Sequence, residues 1–151
     1  MSLRLIPAIH RATHRIGLSL ADLRPHRLSQ GEAHILALLA MTAPATIAEL
    51  HRGLAHKRST LTSILDRLVE RRLITRTTGI SDRRTFVVTL TARGRAVAHR
   101  VLRHLAALEA RVDRRVTSAD VAGFLNVVAA LEAEAAVPRA TGRATAPGRH
   151  C

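Results

Sequence analysis

At 151 residues the chain is one domain's worth of sequence, long enough to bury a core if its helices pack well. Hydrophobic content is 47%, yet with two Phe, no Trp and no Tyr the core must be aliphatic. The same lack of aromatics argues against single-strand nucleic-acid binding, which stacks bases on rings.

The net charge is +13, and every basic residue except Lys57 and the uncounted histidines is arginine. Residues 51–100 hold twelve Lys or Arg against three acids, Asp66, Glu70 and Asp82, while each flank nets only +2. Charge concentrated in the central third is an electrostatic footprint for a polyanion. A merely arginine-rich chain would spread it evenly. The only cysteine, Cys151, excludes an internal disulfide framework and suits a reducing cytoplasm. No uncharged apolar run reaches the length of about 18 residues that a membrane span needs. The opening MSLRLIPAIHRATHRIG is interrupted by Arg and His where a secretion signal requires a continuous apolar core. The expectation is a cytoplasmic protein with no membrane partner.

Leu5, Ile9, Ile16, Leu20 and Leu23 approximate one stripe of a first helix over residues 2–24, with Pro7 tolerable only near its start. Pro25 breaks it. Ser29 and Glu32 form a capping box opening a second helix that runs to Met41, and Pro44 ends the connection. Thr46 and Glu49 repeat the box for a short third helix over 47–52, closed by Gly53.

The organising stretch follows: KRSTLTSILDRLVERRLITRTTGISDRRTFVVTLT, from Lys57 to Thr91. Within a helix over 58–73, Leu61, Ile64, Leu65 and Leu68 take the i, i+3, i+4, i+7 spacing of a buried face. The opposite face carries Ser59, Thr62, Ser63, Asp66 and Glu70, with Thr60 and Arg67 beside it. Short hydroxyl side chains led in by Lys57 and Arg58 let a helix approach a phosphate backbone and hydrogen-bond it. Residues 73–78 and 85–90 read as two strands, rich in Thr, Val and Phe86, joined by a turn that presents Arg83 and Arg84. A helix suited to the major groove beside arginines suited to the minor groove is the layout of a duplex-DNA reader.

Thr91 caps a fifth helix over 92–113, whose Val97, Val101, Leu105, Leu108 and Val112 keep one face apolar. Thr117 or Ser118 caps a sixth, carrying Val121, Phe124, Leu125, Val128 and Leu131. The tail 138–151 has no apolar face and reads as disordered and basic. The first, fifth and sixth helices carry more apolar stripe than a domain of about 65 residues could cover, and a two-fold dimer is the commonest solution. Leu5, Ile9, Val101, Leu105, Leu108, Phe124, Leu125 and Val128 are the residues expected to make it. The bland alternative is a monomer whose helices bury one another.

Together these motifs resemble the multiple-antibiotic-resistance regulator (MarR) family of winged-helix transcription factors. RSTLTSILDRL is similar to its recognition helix, SDRRTFVVTLT to its wing and LTARGRA to the start of the next helix, while SQGEAHILALL is similar to its second helix. The motif-level likeness covers about 29–96, and the helix order extends it across 1–137. The resemblance implies a mainly α fold with a small β-hairpin: a winged helix-turn-helix over 28–93 flanked by dimerisation helices over 1–27 and 94–137. It implies a homodimer on a pseudo-palindromic operator, usually a repressor released by a small-molecule ligand or by cysteine oxidation. By position, Ser59, Thr60, Thr62 and Ser63 would face bases or phosphates and Arg67 would position the helix. Asp82 would hold the wing turn while Arg83 or Arg84 enters the groove. Arg72 stands where the family commonly has glycine, which predicts a different end to the recognition helix. Cys151 is far from the N-terminal position of the oxidation sensors.

His10 and His14, four apart on one helix, raise a zinc-sensing alternative, although Asp22 is the only carboxylate on that helix. The preferred reading places His10, His14, His26 and His34 in solvent or along a ligand crevice, with no metal and no cofactor. No enzyme is expected: His56 lies near Ser59 and Ser63, but no carboxylate is placed to orient it. The serious rival is an architectural protein that grips DNA without reading sequence, because Ser and Thr make fewer base-edge contacts than Asn, Gln or Arg.

Overall fold

The computed structural model describes residues 3–23, 26–54, 57–78 and 86–136. The expected wing turn, with Asp82, Arg83 and Arg84, and the tail expected to be disordered lie outside the described residues. The chain divides into two compact units, 1–109 and 110–151.

In the first unit α1 is Ile6–Ala21, α2 Gln30–Thr42, β1 Ala45–Thr46, α3 Ile47–Leu54, α4 Arg58–Glu70, β2 Ile74–Thr78 and β3 Phe86–Leu90. α5, Ala92–Asp113, starts there and runs past its end; α6, Ser118–Ala136, belongs to the second unit. The helix starts follow the local chemistry read from sequence. The Glu32 amide donates to Ser29 Oγ while the Ser29 amide donates to the Glu32 carboxylate, closing the first capping box. Thr46 and Glu49 close the second in the same reciprocal way. Thr91 Oγ1 accepts from the Gly94 amide to start α5, and Thr117 with Asp120 starts α6.

Leu20 of α1, Leu36 of α2, Leu50 of α3, Leu65 of α4 and Val88 of β3 are fully buried in one aliphatic core. α4 contributes the four side chains its periodicity predicts, Leu61, Ile64, Leu65 and Leu68. Each such burial contributes about 1.5–3 kcal/mol. α1 and the first half of α5 share this core through Leu20, Val97 and Val101.

Three expectations are corrected. The sheet has three strands in the order β1-β3-β2, not two, because Ala45 and Thr46 pair antiparallel with Val88 and Val87. A two-residue strand has no periodicity of its own, so Pro44 read only as punctuation. α4 ends at Glu70 rather than at Leu73, and it ends with the left-handed turn that glycine usually supplies. Arg72 has φ 56°, its amide donates to the Val69 carbonyl at 2.8 Å, and the Leu73 amide donates to the Leu68 carbonyl at 2.9 Å. This is a complete Schellman closure, sealed by buried Leu68 and Leu73, with an arginine accepting about 1 kcal/mol of left-handed strain. Lastly, Val101 is 1% exposed inside the chain's own core, where the sequence placed it on an outward dimer stripe. The fifth-helix stripe is divided: Leu105 packs against that core, while Val112 is exposed.

In the second unit α6 buries none of its residues, although Val121, Phe124 and Leu125 are large and apolar. No described helix is long and apolar enough by itself to cross a membrane.

Candidate nucleic-acid interface

The helices α3 and α4 form a helix-turn-helix, and the second of them exposes a polar face. Lys57, Arg58, Ser59, Thr60, Thr62, Ser63 and Arg67 are all exposed, so the structure brings the predicted contact residues of α4 onto one accessible surface. Lys57 occupies the N-cap position without a side-chain cap. Among the described residues no side chain caps the first-turn amides, and with the helix dipole they favour a phosphate oxygen. Thr62 Oγ1 donates its proton to the Arg58 carbonyl at 3.0 Å, leaving its lone pairs to accept.

What holds that face in place was not legible in the sequence. Glu32 is buried, and besides its capping role its carboxylate faces two arginines, Arg67 of α4 and Arg71 at its C-cap. Arg71 Nη1 donates to Glu32 Oε2 at 3.1 Å, and Arg67 Nε lies 3.5 Å from Oε1. Arg71 also donates to the His26 carbonyl. Burial pushes the Glu32 carboxyl up, but the Ser29 amide and Arg71 outweigh it, so the group ionises below the ordinary glutamate range. Arg67, expected to position the helix, is thus turned toward Glu32 while its side chain stays half-exposed. On the other flank Arg76 of β2 pairs with Asp66 of α4 at 2.9 Å and donates to the Thr62 carbonyl at 3.3 Å. The strands themselves are tied by Thr75 and Thr89, whose hydroxyls lie 2.7 Å apart directly across the ladder.

The candidate crevice histidines occupy different environments. His10 and His14 are exposed on α1, whereas His26 in the α1–α2 turn and His34 on α2 are half-buried. Burial, then Arg100, Arg93 and Arg71, hold the His26 imidazole below its ordinary pKa. Among the described residues no three His, Cys, Asp or Glu side chains gather as metal ligands would. A cleft of about 440 Å³ lies instead between α3 and α4, walled by Ile47, His51, Arg52, Arg58 and Leu61, and it includes none of those four histidines.

The model of the MarR family matches residues 28–86, the span from before α2 to the first residue of β3. An HTH-type transcriptional repressor of Mycobacterium tuberculosis is 33% identical over 98 residues, which cover 65% of this chain and 70% of that protein. The chain belongs to the MarR family. It is a DNA-binding transcriptional regulator of that family and not an enzyme.

Solved MarR-family structures share the fold. The transcriptional repressor CouR bound to a 23-mer DNA duplex is 26% identical with a TM-score of 0.69, over 87% of this chain and 99% of that one. The MepR–DNA complex of Staphylococcus aureus superposes with a TM-score of 0.77 at 14% identity, over 89% and 99% of the two chains. A MarR mutant from Escherichia coli complexed with operator DNA gives 0.70 at 24% identity, over 85% and 91%. At those last two identities the likeness speaks for fold alone.

Proposed function

We propose that this MarR-family regulator acts as a homodimeric repressor, setting α4 of each subunit into successive major grooves of a pseudo-palindromic operator. In this reading 28–93 is the DNA-binding module, and 1–27 with 94–137 forms the dimerisation region. Lys57, Arg58, Ser59, Thr60, Thr62 and Ser63 meet phosphates and base edges, Arg67 positions the helix, Asp82 shapes the wing turn, and Arg83 or Arg84 reaches the flanking minor groove.

The observation that carries this is the exposed, uncapped, hydroxyl-rich front of α4 on a helix anchored from both sides. The dimer is supported by α6, which buries nothing within its own unit, and by exposed Leu3, Leu5, Ile6 and Leu18 at α1. In this reading a small-molecule effector acts at a crevice lined by His10, His14, His26 and His34, in a protein at work in the cytoplasm.

Selection of bound fragments from a random duplex pool at about 150 mM salt, with excess competitor DNA, tests the reading. Enrichment of an inverted repeat with half-sites about one helical turn apart is the expected result. Tight binding without an enriched sequence would instead indicate an architectural grip.

A further inference from the structure

We propose that Arg76 is a positioning residue for DNA reading: by pairing with Asp66 it fixes the wing strand against the recognition helix and cancels an acid that the helix carries on its exposed face. The inference rests on the reading of α4 and the wing as the DNA-contacting elements.

One guanidinium grips α4 at two points a turn apart, Asp66 Oδ1 at 2.9 Å and the Thr62 carbonyl at 3.3 Å. Within the sheet Arg76 stands opposite Val88, which is fully buried, so the gripping residue is backed by the core. From Arg76 the ladder runs two residues further, to Thr78 opposite Phe86, before the wing turn. Fixing Arg76 therefore fixes the strand that leads into the residues bearing Arg83 and Arg84.

The arrangement is poor as a device for stability alone. Asp66 is more than half-exposed, and pairs open to solvent on that scale contribute little. Among the described residues Arg76 Nε is buried without a hydrogen-bond partner, which is itself a cost. A side chain that reaches two acceptors on a neighbouring helix through a pair of little stabilising value is held for geometry. Asp66 adds an electrostatic reason. An unpaired carboxylate beside Thr62 and Ser63 would repel phosphates, and the Arg76 charge 2.9 Å away neutralises it.

The test turns on a sign. Affinity for the selected duplex is measured by fluorescence anisotropy for wild type, Asp66→Asn, Arg76→Ala and the double variant, at a temperature where circular dichroism shows each fully folded. If the pair positions the wing, Asp66→Asn binds about tenfold more weakly although it removes a negative charge from a surface facing a polyanion. The double variant then binds no more weakly than Arg76→Ala. If Asp66→Asn binds as tightly as wild type or more tightly, or if the two losses add, the proposal is overturned and Arg76 is a plain phosphate contact. A wild type that enriches no sequence would defeat the operator reading before these variants are compared, so the two failures are distinguishable.

Discussion

Arg71, at the C-cap of α4, donates to the carboxylate of Glu32 at 3.1 Å, although 39 residues separate them. Glu32 thereby serves two elements, closing the start of α2 and anchoring the end of α4. Replacing it by glutamine leaves Arg71 facing a neutral amide in a largely buried place, and a cost of about 2–4 kcal/mol in urea unfolding is expected. The effect has a pH signature. Glu32 ionises more readily folded than unfolded, so its contribution is complete above the ordinary glutamate range and is lost as pH falls through that range toward its depressed folded value. Stability measured from pH 7 to pH 3 should therefore fall less steeply in Glu32→Gln than in wild type.

Arg72 holds a positive φ of 56° to complete the end of α4. Glycine takes that conformation without a Cβ penalty, so Arg72→Gly should raise stability by up to about 1 kcal/mol. A lower melting temperature would mean that the arginine side chain contributes more than its backbone costs.

Gly94, in the first turn of α5, sits where a Cβ would lie 1.8 Å from the Leu73 carbonyl oxygen. That oxygen also accepts the Thr91 amide at 3.1 Å, so the close approach joins the end of α4 to the start of α5. Neither backbone can give way cheaply. Gly94→Ala should cost about 3 kcal/mol or more, read as a shifted urea midpoint with an unchanged slope.

Phe124 and Leu125 are 57% and 58% exposed on α6, whereas Leu105 leans on the core of the first unit. Changing the α6 pair therefore tests assembly without opening that core. The double variant Phe124→Asp, Leu125→Asp should sediment as a folded monomer and lose operator binding at the same time. A wild type that is itself monomeric would remove the premise.

Arg84 lies in the basic wing sequence, and Arg84→Ala should weaken operator binding by about 1–3 kcal/mol while the dimer persists. Unchanged affinity would place the minor-groove contact elsewhere, with Arg83 the next residue to change.

Much of this molecule was legible from neighbours in sequence. Ser29 with Glu32, Thr46 with Glu49, and Thr91 before α5 marked helix starts because capping bonds span three residues. Leu61, Ile64, Leu65 and Leu68 marked the buried face of α4, and hence its exposed one, because a helix repeats every 3.6 residues. Such rules operate within one or two turns of chain. The pairings of Glu32 with Arg71, Asp66 with Arg76 and Ala45 with Val88 connect separate elements, and no local pattern announces them. Val101 shows the same limit from the other side. Its place on an apolar stripe was clear, but a stripe states only that a face is covered, and the fold decided that the chain's own core covers it. Local chemistry determined most of the elements and the polar face that α4 exposes; three-dimensional packing determined what holds that face still.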